Sequence, residues 1–234
     1  MNFNDRIVMV TGAAGNLGRA VAQAFAARGA SLVLVDVRRD ALEHAFGEET
    51  ATRRFAPTDL LDPVQVAASV DAAIAAYGRI DVLCNLAGGF RMGETVHETS
   101  AKNWDFLFDI NARTLLNMTH AVVPRMLAAG GGKIVNVGAY SAQKGVAKMA
   151  AYTASKATVI RLTEAMAAEL REHGINVNCV LPTIIDTPEN RAAMPDADAS
   201  RWVAPADLAN AIAFLASDDA RAVHGAALPV TGLS

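Results

Sequence analysis

The chain has 234 residues, of which 52% are hydrophobic and 19% charged, so it fits one globular domain with a large core and is too apolar for a disordered segment. Its formal net charge of −3 supplies no basic surface for a nucleic acid backbone, and no uncharged apolar stretch reaches the roughly 18 residues of a membrane span. We therefore expect a cytoplasmic protein that has neither nucleic acid nor membrane as a partner.

Short runs rich in Val, Ile and Leu alternate with alanine-rich segments of helical period along the whole chain. Runs that are apolar throughout are typical of parallel strands buried on both faces. The predicted strands cover residues 6–11, 31–36, 80–87, 133–138, 175–181 and 226–230. The predicted helices cover residues 17–28, 63–77, 102–127, 151–173 and 205–216. This alternation predicts a single α/β domain over residues 1–234, with a Rossmann-type, doubly wound parallel sheet of about seven strands flanked by helices.

Residues 183–204 interrupt the alternation with two prolines, four acidic residues and Trp202. Loops longer than about 12 to 15 residues are usually functional or disordered. This segment follows the carboxyl end of a predicted strand, which is where open α/β sheets bind ligands. We therefore interpret residues 183–204 as a substrate lid.

A glycine-rich segment, Gly12-Ala13-Ala14-Gly15-Asn16-Leu17-Gly18, joins the first strand to the first helix. Glycines at such a turn let the backbone approach a pyrophosphate, whose charge the amino end of the helix stabilises. Asp36 ends the second strand about twenty residues later, a spacing typical of dinucleotide sites. Its carboxylate can bind both ribose hydroxyls and would repel a 2′-phosphate, which favours NAD(H), while Arg38 and Arg39 keep NADP(H) open.

Tyr152 and Lys156 are four residues apart in a predicted helix, so their side chains share one face. Tyrosine has an ordinary pKa near 10, which makes it a weak acid or base at neutral pH. A neighbouring ammonium stabilises the phenolate, so Lys156 is predicted to lower the pKa of Tyr152 toward the range useful for proton transfer. A tyrosine and a lysine four residues apart are common in helices. The pair indicates a catalytic site only together with the nucleotide site predicted earlier in the chain.

The order of these motifs resembles the short-chain dehydrogenase/reductase family from residue 6 nearly to the C-terminus. The resemblance lies in TGAAGNLG (11–18), Asp59 in PTDLLD, NLAG (85–88), Asn111 in DINARTLL, the pair Tyr152 and Lys156, and LPTIIDTP (181–188). It implies an NAD(P)-dependent oxidoreductase acting on a small molecule. It also implies a homodimer or homotetramer that pairs the helices 102–127 and 151–173.

The resemblance further implies roles for individual residues. The glycine-rich segment, Asp36, Tyr152 and Lys156 are implied to bind the cofactor. Asp59 and Leu60 would contact adenine, and Asn85, Ala87 and Gly88 the ribose side. Pro182, Ile185 and Thr187 would lie toward the nicotinamide carboxamide and the pyrophosphate. Asn111 would hold a water that links Lys156 to solvent as a proton relay. No metal is expected, since the five histidines lack partners at ligand spacing.

One departure from the family concerns the position thirteen residues before the tyrosine. Family members normally have a serine there that orients the substrate carbonyl, whereas this chain has Ala139. Ser141 can take over that role if the loop shifts, or it can be an ordinary loop serine that faces solvent. Quinonoid dihydropteridine reductases also lack the serine, and the chain is similar to them in GAYSAQKG…MAAY, LCNLAGG and LPTIIDTPENRAAMPDADASRW.

Three functional hypotheses follow from these residues. The main one is an NADH-dependent reductase of a small quinonoid or carbonyl substrate, similar to a dihydropteridine reductase, because a strongly electrophilic ring tolerates loss of a donor otherwise worth about 10² to 10³ in rate. The alternative is an ordinary ketone, alcohol or 3-oxoacyl reductase that uses Ser141. A non-catalytic nucleotide-binding regulator is a third hypothesis, favoured by Ala139 and opposed by Tyr152, Lys156 and Asn111.

Overall fold

A single parallel sheet forms the centre of the computed structural model, which describes all residues 1–234. Its seven strands are β1 (Ile7–Thr11), β2 (Ser31–Asp36), β3 (Arg53–Pro57), β4 (Val82–Asn85), β5 (Gly132–Val137), β6 (Ile175–Pro182) and β7 (Ala227–Val230). They lie in the order β3-β2-β1-β4-β5-β6-β7. The predicted Rossmann-type, doubly wound parallel sheet is confirmed.

Eight α-helices lie between the strands in chain order. They are α1 (Asn16–Ala26), α2 (Arg39–Phe46), α3 (Pro63–Tyr77), α4 (Ala101–Phe108), α5 (Thr114–Ala128), α6 (Ala150–Leu170), α7 (Pro188–Ala193) and α8 (Pro205–Ala216). Helices α1, α2 and α8 contribute to the core on one face of the sheet, and α3, α5 and α6 to the core on the other. None of the helices is both long enough and apolar enough to span a membrane.

The strands have a hydrophobic core on each face of the sheet, which explains why their sequences are continuous apolar runs. Alternate residues of β1 face opposite sides, with Ile7 and Met9 in one core and Val8 and Val10 in the other. The cores are nearly equal in size, with 24 and 23 buried residues, so neither face of the sheet is left to solvent. A strand in this position needs apolar side chains on both faces.

Two elements, β3 and α2, were missed by the sequence prediction. Strand β3 lies at the edge of the sheet and alternates exposed Arg54 with buried Phe55, so it lacks the continuous apolar run of the other strands. The predicted helix 102–127 is also wrong as a single element, because a π-helical turn, Asp109–Arg113, separates α4 from α5. π-helical turns within longer helices are frequent at functional sites.

The order of the strands reverses at a switch point in the sheet, and we call the space beyond the carboxyl ends of the strands at this point the crevice. Strand β1 pairs with both β2 and β4, so the connections after β1 and after β4 run in opposite directions across the sheet. Open α/β sheets bind ligands at such a switch point. The glycine-rich segment, Asp36 and the residues after β4 and β5 all follow strands at this edge.

Residues 183–204 form an ordered layer beyond the carboxyl end of β6. Ile185 pairs with Val203 in an isolated parallel bridge, and Trp202 and Val203 are only 8% and 2% exposed. Between the paired residues the chain forms α7 and a short 3-10 turn, Ala199–Arg201. The segment is therefore held at both ends, and only its middle part can serve as the predicted lid.

Candidate active site

The glycine-rich segment forms a tight turn between β1 and α1. Gly12 has a φ of 63°, and a Cβ at this position would lie 3.1 Å from the Cα of Ala87 after β4. A Cβ on Gly18 would overlap the carbonyl oxygen of Gly12. Glycine is therefore required at both positions for the close approach of α1 and the β4 loop to this turn.

The amino end of α1 leaves backbone N–H groups without acceptors. Its N-cap residue is Gly15, which has no side chain to accept from them, and the helix dipole places partial positive charge there. Beside this end, the Asn16 amide donates to Glu189 of α7 at 2.7 Å and accepts from Arg19 at 2.7 Å. These contacts link the turn to residues 183–204, and no local sequence signal predicted them.

Asp36 lies beside the same turn, as predicted. Its Oδ2 accepts from the N–H of Ala14 at 3.0 Å and its Oδ1 from the N–H of Val37 at 2.9 Å. The carboxylate is thereby fixed in orientation while each oxygen keeps a free lone pair for a ligand hydroxyl. Arg38 and Arg39 form their ion pairs with carboxylates other than Asp36, namely those of Asp40, Glu43 and Glu49.

The residues assigned to adenine and ribose differ in exposure. Asp59 is exposed, whereas Leu60 is 8% exposed and packs in the core, so the Leu60 side chain is not available to adenine. Asn85 is also buried, and its amide donates to Asn136 at 2.9 Å. Gly88 is exposed at the crevice. Contacts to the cofactor from the β4 loop are therefore expected from the backbone after Asn85.

Helix α6 places Lys156 behind the crevice. Its side chain is 6% exposed, and its ammonium donates to the carbonyl oxygen of Val137 at 2.8 Å. A Cβ on Gly88 would lie 3.1 Å from this nitrogen, so glycine leaves the space that the lysine uses. Burial lowers the pKa of Lys156 to about 8, because the ammonium loses hydration and no carboxylate compensates it.

Tyr152 lies one helical turn before Lys156, and its phenol hydroxyl has no hydrogen-bond partner within the protein. Burial raises the pKa of Tyr152 to about 12. The predicted lowering by Lys156 is therefore wrong for the protein alone: desolvation disfavours the phenolate, and the ammonium is engaged at Val137. The phenol is protonated across the neutral range.

Asn111 lies in the π-helical turn and is 2% exposed. Its Oδ1 accepts from the N–H of Gly89 at 2.9 Å, and its amide nitrogen donates to the carbonyl of Gly89 and to Ser155 Oγ, both at 3.0 Å. Both amide hydrogens are thus used to tie the β4 loop to α6. Ser155 was not predicted, and the water relay assigned to Asn111 stays a prediction.

The loop after β5 carries the position of the missing serine. Ala139 is 4% exposed and directly precedes a 3-10 turn, Tyr140–Gln143, that contains Ser141. Ser141 is partly buried, and its hydroxyl has no hydrogen-bond partner within the protein. Its hydroxyl is therefore available to a ligand.

The residues after β6 are organised by Asn190. Its side chain donates to the carbonyl of Ile185 at 2.8 Å, and its N–H donates to Thr187 Oγ1 at 3.2 Å. Thr187 is thereby the N-cap of α7. Pro182 ends β6 directly before this stretch. The predicted cofactor contacts of Pro182, Ile185 and Thr187 remain predictions.

The sequence model of the family described as short chain dehydrogenase matches residues 6–198. The chain belongs to the short-chain dehydrogenase family. It is 36% identical to D-threitol dehydrogenase of Mycolicibacterium smegmatis, over 98% of this chain and 93% of the relative. It is 37% identical to cis-4-hydroxycyclohexanecarboxylate dehydrogenase of Sinomonas cyclohexanicum, over 98% and 96%. The solved structure of NAD+-bound xylitol dehydrogenase matches with a TM-score of 0.90 and 28% identity, over 99% of this chain and 100% of that chain.

Membership in the short-chain dehydrogenase family confirms the predicted enzyme class, an NAD(P)-dependent oxidoreductase. It bears differently on the two enzyme hypotheses. The relatives act by name on alcohols, which fits the ordinary ketone or alcohol alternative better than the main hypothesis. A specificity like that of dihydropteridine reductase finds no support in these comparisons.

The buried ammonium makes the stability of this short-chain dehydrogenase depend on pH. Because the pKa of Lys156 is about 8 in the folded state and 10.5 ordinarily, the unfolded chain binds more protons between these values. The contribution of Lys156 to the free energy of unfolding therefore rises with pH through this window, by up to roughly 3 kcal/mol. Burial raises the pKa of the Cys84 and Cys179 thiols, so these two groups act in the opposite direction above about pH 9, and the effect of Lys156 is measured as a difference between variants. We expect the difference in free energy of unfolding between the wild type and Lys156→Met to shift in favour of the wild type between about pH 7.5 and pH 10, and the difference between the wild type and the exposed Lys144→Met to stay constant, as measured by urea unfolding. A difference for Lys156→Met that does not change with pH would contradict the assignment.

Proposed function

We propose that the protein is an NAD(H)-dependent oxidoreductase that interconverts a small ketone and its secondary alcohol. The observation that carries this proposal is the unpartnered hydroxyl of Tyr152, one helical turn from the buried ammonium of Lys156. Lys156 lies beside Gly88, which is in the loop that follows β4 at the switch point. Proton transfer to or from a reacting oxygen by such a group typically contributes about 10² to 10⁴ in rate.

The crevice fits a dinucleotide. The amino end of α1 offers N–H groups without a capping side chain to a pyrophosphate, and the fixed carboxylate of Asp36 offers acceptors to a ribose diol. A nicotinamide cofactor, when bound, supplies or accepts the hydride. The residues that would hold it are the glycine-rich segment, Asp36 and the backbone after β4.

Residues of the protein donate the proton and the hydrogen bond that the substrate oxygen needs. Since the pKa of Tyr152 is raised to about 12, the phenol carries the proton that a ketone oxygen must receive during reduction. Asn111 holds the β4 loop against α6 and so fixes the distance between Gly88 and Lys156. The unpartnered hydroxyl of Ser141 is the second donor that we assign to the substrate oxygen.

Replacement of Ser141 tests the ketone proposal against the dihydropteridine one. We expect Ser141→Ala to lower kcat for a ketone substrate by about 10² to 10³, the usual loss when an oxyanion donor is removed. Ser31→Ala, at the amino end of β2 and so at the other end of the strands, is the matched control and should retain activity. A loss below about threefold, together with faster NADH oxidation by quinonoid dihydropterin than by a panel of ketones and quinones, would favour the dihydropteridine hypothesis.

Replacement of Asp36 tests the cofactor preference. We expect Asp36→Ala to raise KM for NADH by about tenfold or more, since hydrogen bonds to a charged acceptor are lost, and to narrow the advantage of NADH over NADPH. Steady-state kinetics with both cofactors measure the effect. A wild-type protein that already prefers NADPH tenfold would contradict the role given to Asp36.

We also propose that the chain forms a homodimer or homotetramer through α5 and α6. The exposed small and apolar residues on these helices that support close packing are Leu116, Ala165 and Ala168. Other residues of the same helices are buried in the core and unavailable to a partner: Leu115, Met118 and Ala167. Light scattering at micromolar concentration should give two or four times the chain mass, and the mass of a single chain would reject the proposal.

A further inference from the structure

Phe90 covers the reacting phenol. Its ring packs edge-on against that of Tyr152, with 4.8 Å between the centroids and 85° between the planes. The side chain is nevertheless 54% exposed, so one part of it contacts the Tyr152 ring while the rest is open to solvent. An exposed aromatic ring in contact with the ring of Tyr152 is a surface that a substrate bound at the Tyr152 hydroxyl can touch.

The position of Phe90 is fixed by the residue before it. Gly89 is hydrogen-bonded to Asn111 through both its N–H and its carbonyl, at 2.9 and 3.0 Å. A Cβ on Gly89 would lie 3.2 Å from Ile110 and 3.3 Å from Phe106, so the backbone is packed closely as well. Phe90 is therefore a preformed wall of the site, and little ordering is needed for a ligand to use it.

The charged groups next to Phe90 are engaged elsewhere. The Arg91 guanidinium stacks over the ring of Phe106 at 3.6 Å from its centroid. The Glu94 carboxylate accepts from the N–H of Ser100 at 3.1 Å and from Asn103 at 3.0 Å. The missing serine is replaced by the methyl group of Ala139, which adds no polar atom. Neither Arg91 nor Glu94 is therefore free to receive the hydroxyls of a polyol beside Phe90, and Ala139 offers no hydrogen-bonding group.

We propose that Phe90 determines specificity and that the substrate is a ketone or secondary alcohol whose carbonyl carbon carries an apolar ring or alkyl chain, in preference to a polyol. This inference rests on the proposed function and names its substrate class. A substrate oxygen that reaches the Tyr152 hydroxyl brings its neighbouring carbons against the Phe90 ring. Apolar carbons gain from this burial. Hydroxyl groups placed there lose water without gaining a partner.

The test compares alicyclic and aliphatic alcohols with polyols, using NAD+ as oxidant. We expect wild-type kcat/KM for cyclohexanol or 2-hexanol to exceed that for erythritol or xylitol by more than tenfold. Phe90→Ser should lower kcat/KM for the apolar alcohols at least tenfold, as expected for a lost hydrophobic contact, and change that for the polyols less than threefold. Phe90→Leu, which keeps an apolar side chain, should retain most of the preference. Phe214→Ala, an exposed phenylalanine on α8, is the control for general effects of losing a ring.

The outcomes separate the inference from the proposed function. A wild-type preference for polyols, or an equal loss with both substrate classes in Phe90→Ser, would overturn the role of Phe90 while leaving the oxidoreductase intact. Turnover of no alcohol, and of no corresponding ketone with NADH, would overturn both. The Kd for NADH, from fluorescence titration, and the melting temperature should be unchanged in Phe90→Ser. Cofactor binding and folding are then retained, and the change in kcat/KM is due to the contact with the substrate.

Discussion

Replacing Tyr152 with Phe is expected to lower kcat by about 10² to 10⁴, the range for removal of a general acid or base. The hydroxyl is the only part of the side chain that is lost, and it has no structural hydrogen bond to lose. The ring should keep its edge-on contact with Phe90 at 4.8 Å, so folding and NADH binding should be unchanged. Stopped-flow or steady-state reduction of a ketone measures the effect.

The control for this substitution is Tyr140→Phe, because Tyr140 is another tyrosine at the same edge of the sheet and is 45% exposed. We expect it to change kcat far less than Tyr152→Phe. Should Tyr152→Phe retain kcat within threefold, proton transfer would not depend on the phenol and the mechanism proposed for the site would fail. If the wild-type chain binds NADH but turns over no substrate, the regulator hypothesis gains.

Gly18→Ala is expected to abolish most of the affinity for NADH, with Kd raised at least tenfold. The added Cβ would overlap the carbonyl oxygen of Gly12 and lie 2.7 Å from the Cα of Ala13, and both are backbone atoms that cannot rotate away. The turn must move, and with it the N–H groups at the amino end of α1. Overpacking of this kind costs about 1 to 3 kcal/mol of stability. For a chain of this size, Tm falls by about 2 to 4 °C for each kcal/mol.

Gly145→Ala is the matched control, since a Cβ there meets nothing within 4 Å. It should leave NADH affinity and Tm close to those of the wild type. Fluorescence titration and thermal unfolding of the two variants measure the difference. If Gly18→Ala binds NADH with wild-type affinity, the turn can relax at little cost. The close packing around Gly12 is then not needed for cofactor binding.

Local patterns in the sequence located most of the elements and supplied the candidate site residues. The apolar runs of β1, β2, β5 and β6 and the bounds of α3 and α8 followed from residue type alone. A strand buried on both faces leaves a short, continuous apolar run, whereas a helix leaves a longer segment with a period of about 3.6 residues. The glycine-rich segment and Asp36 were found the same way, and they are in contact through the N–H of Ala14. The edge strand β3 was missed because exposure on one face removed its apolar signal.

The sequence by itself determined the family and the alternation of most strands and helices, and it predicted which side chains carry the chemistry, since these depend on residue type and spacing along the chain. Only the tertiary structure decided the pKa of Tyr152, the partners of Asn111 and the contact between Asn16 and Glu189. Desolvation and hydrogen bonding depend on which distant segments meet, and residues 16 and 189 have no local pattern that relates them. The same is true of the contact between Phe90 and Tyr152, on which the role proposed for Phe90 rests.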